Sequence, residues 1–155
     1  MADSIRELIM KDIKSTLESI DTADGYNYTM SERTVRRFNM RGQNFVDLPT
    51  YVIDMTQETE IPMISPKEKM RMSITISAYY VQKEDDDLDT GVYINMMLAD
   101  IKKSLLVDPQ RGTYAIETVI TGADKFNTTD EQKYTGIIVG IDVQYQHAYG
   151  DPYTK

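Results

Sequence analysis

The sequence predicts an α+β domain, a mostly antiparallel sheet with two amphipathic helices packed on one side. Three observations predict it. Two stretches repeat apolar residues at helical spacing: Ile5, Leu8, Ile9, Ile13, Leu17 and Ile20, then Ile94, Met97, Leu98, Ile101 and Leu105. Two others, 70–81 and 136–147, alternate apolar and polar residues as half-buried strands do. The order runs helix, strands, helix, strands, and no internal repeat or linker separates them, so residues 1–155 read as a single domain. A chain of 155 residues is long enough to bury roughly two thirds of its unfolded surface.

Ser4-Ile5-Arg6-Glu7 fits a capping box, in which Ser and Glu each satisfy a free main-chain N–H at a helix start. A helix is expected over 4–21, ended by Asp24-Gly25. The mixed pattern from Tyr26 to Phe38 fits a strand carrying a basic cluster at Arg33, Arg36, Arg37 and, further on, Arg41. "TYVIDM" (50–55) follows Pro49 and reads as a short strand, whereas 56–69 holds two prolines, shows little periodicity and reads as a long loop. In 70–81, Met70, Met72, Ile74, Ile76, Ala78 and Tyr80 share the core side, which leaves Tyr79 on the polar one. The second helix is expected over 90–106, with Lys102 and Lys103 near its end where the helix dipole favours cations, and Asp108-Pro109 blocks it. The stretch 113–122 reads as a strand and 123–135 as a polar loop. In 136–147, Ile137, Val139, Ile141, Val143 and Tyr145 face one way.

Composition removes several functions. A hydrophobic fraction of 41% with 27% charged residues suits a water-soluble domain, and no apolar run approaches the ~18 residues of a membrane span. The first residues mix charge into their apolar positions, unlike a secretory signal. The chain has no cysteine, which excludes disulfides, thiolate metal sites and cysteine nucleophiles. A net charge of −8 argues against a general nucleic-acid binder, because duplex affinity comes mainly from cations on phosphates. It is compatible with a protein that DNA must pass without sticking.

Enzyme chemistry finds little support. The single histidine, His147, falls on the apolar side of the last strand, where a packed imidazole is the simpler reading, and no Gly-x-Ser-x-Gly elbow or glycine-rich phosphate loop accompanies it. In "EDDDLDTG", Asp85, Asp87 and Asp89 stand at positions 1, 3 and 5 of a calcium loop. The glycine required at position 6 is Thr90 and the glutamate at position 12 is Met96, so solvated acids at a helix start explain the run better. Asp124, Asp130, Glu131 and Lys133 resemble a metal-nuclease set only in composition, since no apolar scaffold fixes them. No cofactor is expected. Binding residues are better supported. Clustered arginines suit a charged protein interface, and eleven tyrosines without tryptophan favour surfaces where a ring is buried and a hydroxyl stays wet. Tyr79, on the polar side of its strand, is one such candidate.

Three runs carry a family likeness: the helix end "LADIKKSLLVDPQRG", the strand "TYAIETVITG" and the terminal "VQYQHAYGDPY". With the order of elements, they resemble the tail terminator and tail completion proteins of tailed bacteriophages. That resemblance implies a structural protein of the virion, made in the host bacterial cytoplasm. It would form a ring, hexameric, at the head-proximal end of the tail. It would cap the tail tube, stop its growth and join the head through a neck or connector protein, with DNA passing through unbound and no membrane involved. The expected subunit or partner contacts are Arg33, Arg36, Arg37, Tyr79, Tyr149, Asp151 and Tyr153, and the channel-lining acids Asp85, Asp86 and Asp87. Pro152 is expected to fix a turn that presents Tyr149 and Tyr153 outward, against the alternative of a tail packed on its own domain. A neck or head–tail adaptor, a cytoplasmic binding module unrelated to phage, and a metal-dependent hydrolase are the competing readings.

Overall fold

The computed structural model describes residues 2–38, 45, 47–81, 89–127 and 134–155. Two helices, α1 (Ile5–Glu18) and α2 (Thr90–Val107), pack on one face of a five-stranded sheet. Its strands are β1 (Val35–Arg37), β2 (Thr50–Ile61), β3 (Lys67–Tyr80), β4 (Ala115–Asn127) and β5 (Thr135–Ala148), in the spatial order β1-β2-β3-β5-β4. The fold is α+β as the sequence predicts. All neighbouring strands run antiparallel except β1, which lies parallel to β2 with Val35 opposite Tyr51. Among the described residues no helix is long and apolar enough to cross a membrane.

Each element follows from local chemistry. The Ser4 hydroxyl caps α1 by accepting from Glu7 N. The helix ends at Glu18, short of the expected 21, and a 3-10 turn over Thr22–Asp24 closes on Gly25 at φ 78°, a left-handed angle that glycine adopts without strain. α1 buries Ile9, Ile13 and Leu17 against the sheet, and α2 buries Met97, Ile101 and Leu105. Burying side chains of this size stabilises a fold by about 1.5–3 kcal/mol each. The strands meet them with Ile53, Met72, Ile74, Ile76, Val139, Ile141 and Val143. His147 is buried on the same face, packed as the sequence reading held.

Two expected loops are strands. The stretch 56–69 forms the arms of a hairpin, in register from Gln57 opposite Ser73 to Ile61 opposite Lys69, after a bulge near Thr56. Its prolines lie at the turn, as Pro62 and Pro66, where the lack of a main-chain donor does no harm. β4 likewise runs through Asn127 instead of stopping at 122, because "ADKFN" pairs with β5 from Ala123 opposite Val139 to Asn127 opposite Thr135. The basic strand, by contrast, shrinks to three residues.

Two buried charges set the approaches to the sheet's two edges. Asp100 of α2 is buried, and its carboxylate accepts from Asn27 N at 3.0 Å, Asn27 Nδ2 at 2.8 Å and Tyr28 N at 3.0 Å. It thereby holds the segment that leads to β1. Arg111 is 0% exposed and leads into β4. Its guanidinium donates to the Leu105 carbonyl, to Asp12 at 3.4 Å and to Thr16 at 3.5 Å, tying α1 to the end of α2. Burial lowers its pKa, while Asp12 and Asp108 oppose that. Arg111, Gly112 and Thr113 all have positive φ, and Asp108 holds this turn by accepting from Gln110 N and Gly112 N. Those amides, Gly112 first, hold the Asp108 carboxyl below the usual carboxylate range. The lysines expected to meet the dipole of α2 fall before its last turn. Lys103 instead donates to the carbonyls of Asp24 and Gly25 and sits 4.1 Å above the Tyr26 ring.

Candidate assembly surface

One end of the molecule gathers the hairpin turn, the start of α1 and the segment after β5. Beyond Ala148 the chain turns back, with Gly150 at φ 70° and Asp151 bridged to Ala148. Asp151 builds the turn: its carboxylate accepts from Tyr153 N at 3.0 Å and Thr154 Oγ1 at 2.6 Å. These bonds, that to Thr154 foremost, hold its pKa down. The turn is then fastened at four points. Pro152 O accepts from Ile5 N at 3.0 Å, satisfying a free donor at the start of α1. Tyr149 N donates to Pro66 O at 3.1 Å, Ala148 N to Thr154 O at 2.7 Å, and Lys155 Nζ to Thr113 O.

The backbone of this segment therefore packs on its own domain, while its rings do not. Tyr149 is 76% exposed and Tyr153 is 56% exposed, and Met63 and Ile64 of the hairpin turn are exposed as well. Both expectations for the segment hold in part, with the main chain fixed and the tyrosines outward. Asp151, expected at a contact, has its carboxylate engaged inside the turn.

Beneath lies a cleft of about 360 Å³ lined by Ser4, Arg6, Glu58, Met70, Tyr145 and His147 together with Pro152 and Tyr153. Its polar groups satisfy one another. Arg6 lies 3.0 Å from Glu58, and the Tyr145 hydroxyl donates to the same carboxylate. Burial first, then Glu58, raises the Tyr145 pKa. His147 Nδ1 is 2.9 Å from the Ala148 carbonyl and 3.4 Å from Glu68. The cleft braces the hairpin against α1 and the returning segment.

The other expected residues are distributed elsewhere. Tyr79 lies on the sheet face away from the helices, half-buried in an aromatic group with Phe45 at 4.5 Å, Phe126 at 5.1 Å and Tyr134 at 6.1 Å between ring centroids. Desolvation raises its pKa. Phe126 lies over Gly136, where an added Cβ would come 2.8 Å from the ring and overlap the Ala78 carbonyl. Arg33 and Arg37 are exposed at the β1 edge and Arg36 is half-exposed. Arg36 Nε donates to Arg33 O at 3.0 Å, and Arg37 pairs with Glu7 of α1 at 2.6 Å. Asp85, Asp86 and Asp87 lie outside the described residues, as do Arg41, Asp130, Glu131 and Lys133. Asp124 is exposed on β4.

Sequence reasoning missed Asp100 and Arg111 as buried anchors and Glu58 as the hub of the cleft. A signal for Arg111 was present: Asp108-Pro109-Gln110-Arg111-Gly112 sets a capping acid and a turn glycine around it. No protein-family model matches the chain, and no curated protein matches it in sequence.

Proposed function

We propose that the chain is a structural subunit of a ring at the head-proximal end of a bacteriophage tail. There it caps the tail tube, stops its growth and offers the surface that the head joins through a neck or connector protein. The observation that carries this reading is the fastened end of the molecule. Four hydrogen bonds hold a turn whose two tyrosines, with Met63 and Ile64, stay in solvent. Ordering a segment in advance lowers the entropy lost when a partner binds, and tyrosine suits such contacts. The partner assigned to this end is the tail tube. The ring is hexameric in this reading, and an acidic chain of net charge −8 repels phosphate, so DNA slides through the bore. No catalytic step is required of it.

Two experiments test the reading. Phage assembled without the chain should carry tubes of irregular length and fail to join heads. Infectious particles with tubes of normal length would overturn it. Mixed with tail tubes, the purified chain should add density at one tube end in negative stain. The double variant Tyr149→Ala/Tyr153→Ala should lose that density while melting as the parent does.

A further inference from the structure

We propose that copies of the chain join edge to edge, the outer edge of β4 in one copy lying along the arginine-bearing β1 edge of the next. This contact rests on the ring reading and names how the ring would close. β4 bounds the sheet on one side and β1 on the other. Joining them is therefore a head-to-tail contact between unlike surfaces, the kind that closes into a ring when the rotation permits.

Three features of the two edges fit each other. The first is that β4 outruns the cover of the helices. Every residue from Thr121 to Lys125 is exposed, yet pairing to β5 continues regularly from Gly122 opposite Gly140 to Asn127 opposite Thr135. A strand in register on one side and bare on the other is a template for a further strand.

The second feature is charge, matched by sheet face. Glu117 lies opposite Gln144 and Asp124 opposite Ile138, which places both acids on the face away from the helices. Arg36 lies opposite Val52, on that same face. Among the described residues neither acid has a cation partner, and neither Arg33 nor Arg36 has a carboxylate partner. Opposite charges on facing strands stabilise a pair, and like charges destabilise it. A symmetric β4-to-β4 contact would set acidic strands together, whereas β4 against β1 brings acids to arginines.

The third feature is apolar. Phe38 continues the β1 ladder by donating N–H to Ile53 O, and alternation places its ring on the outer face, exposed. Val119, opposite Asp142 on β4, is exposed on that face too. Joined edges would cover both.

The absence of cysteine makes the test clean. In the full-length double variant Arg36→Cys/Asp124→Cys, mild oxidation with diamide should give a ladder of covalent oligomers on a non-reducing gel, removed by reductant. Either single variant should give no ladder. Independently, Asp124→Arg should weaken self-association measured by sedimentation by about tenfold, and adding Arg36→Asp in the same chain should restore it. Circular dichroism and melting of each variant confirm folding, since both positions are at the surface. Products that stop at dimer, efficient crosslinking of Asp124→Cys alone, or unchanged association of Asp124→Arg would overturn this contact and leave a ring built another way. A wild-type chain that sediments as a monomer at every concentration, with and without tail tubes, would overturn the ring reading and this contact with it.

Discussion

Replacing Asp100 with alanine should be among the most destabilising single changes on α2. The carboxylate receives two main-chain donors, Asn27 N and Tyr28 N, and one side-chain donor, Asn27 Nδ2. Hydrogen bonds to a charged acceptor contribute about 1.5–3 kcal/mol each. Asn27 is exposed, so water can replace part of what it loses. Counting the two main-chain bonds at the low end gives about 3 kcal/mol for Asp100→Ala. Asp100→Asn keeps one acceptor oxygen but not the charge, and should lose about half as much. Urea unfolding followed by circular dichroism reads both. With a slope of about 1.5 kcal/mol/M, the alanine variant should unfold at a midpoint about 2 M lower and melt about 9 °C lower. Amide exchange at Asn27 and Tyr28 should accelerate more than at core strands. A loss below about 1 kcal/mol, or an asparagine variant weaker than the alanine one, would refute the claim that this carboxylate organises the approach to β1.

Further expectations concern other anchors. Arg111→Met keeps bulk but leaves the Leu105 carbonyl without its donor and Asp12 without its cation, and should destabilise by about 1–3 kcal/mol in urea titration. Tyr51→Phe removes a buried hydroxyl that has no hydrogen-bond partner among the described residues, so stability should hold or rise by up to about 1 kcal/mol. Gly136→Ala would drive a methyl into the Ala78 carbonyl and the Phe126 ring and should cost about 3 kcal/mol, with loss of tyrosine near-ultraviolet signal. Asp108 and Asp151 have carboxyl pKa values held below the unfolded value. Their contribution is present above about pH 4 and is lost as pH falls through the folded values. Melting temperature should therefore drop as pH falls below about 4, less steeply in Asp108→Asn.

What the sequence made legible was whatever buried apolar surface makes legible. β3 and β5 alternate because one face is core, and α1 and α2 carry a stripe for the same reason. The hairpin arm at 56–61 and the second half of β4 bury little, so hydrogen-bonded pairing alone makes them strands and no hydrophobic period marks them. Asp100 and Arg111 were hidden by the rule that charged residues stay outside, which holds until a carboxylate or guanidinium finds several partners at once. Of the surface residues, Tyr79, Tyr149 and Tyr153 could be placed by face or by the nearby turn. The engagement of Asp151 and Arg37 within the chain could not, because it depends on elements far apart in sequence.

The bond from Ile5 N to Pro152 O couples the start of α1 to the turn beyond β5. A polypeptide still emerging from the ribosome, or clipped before residue 152, cannot assemble the corner that displays Tyr149 and Tyr153. Display of the two rings is thereby conditional on the first helix and on the strand before the turn, and a fault in either is felt at this surface.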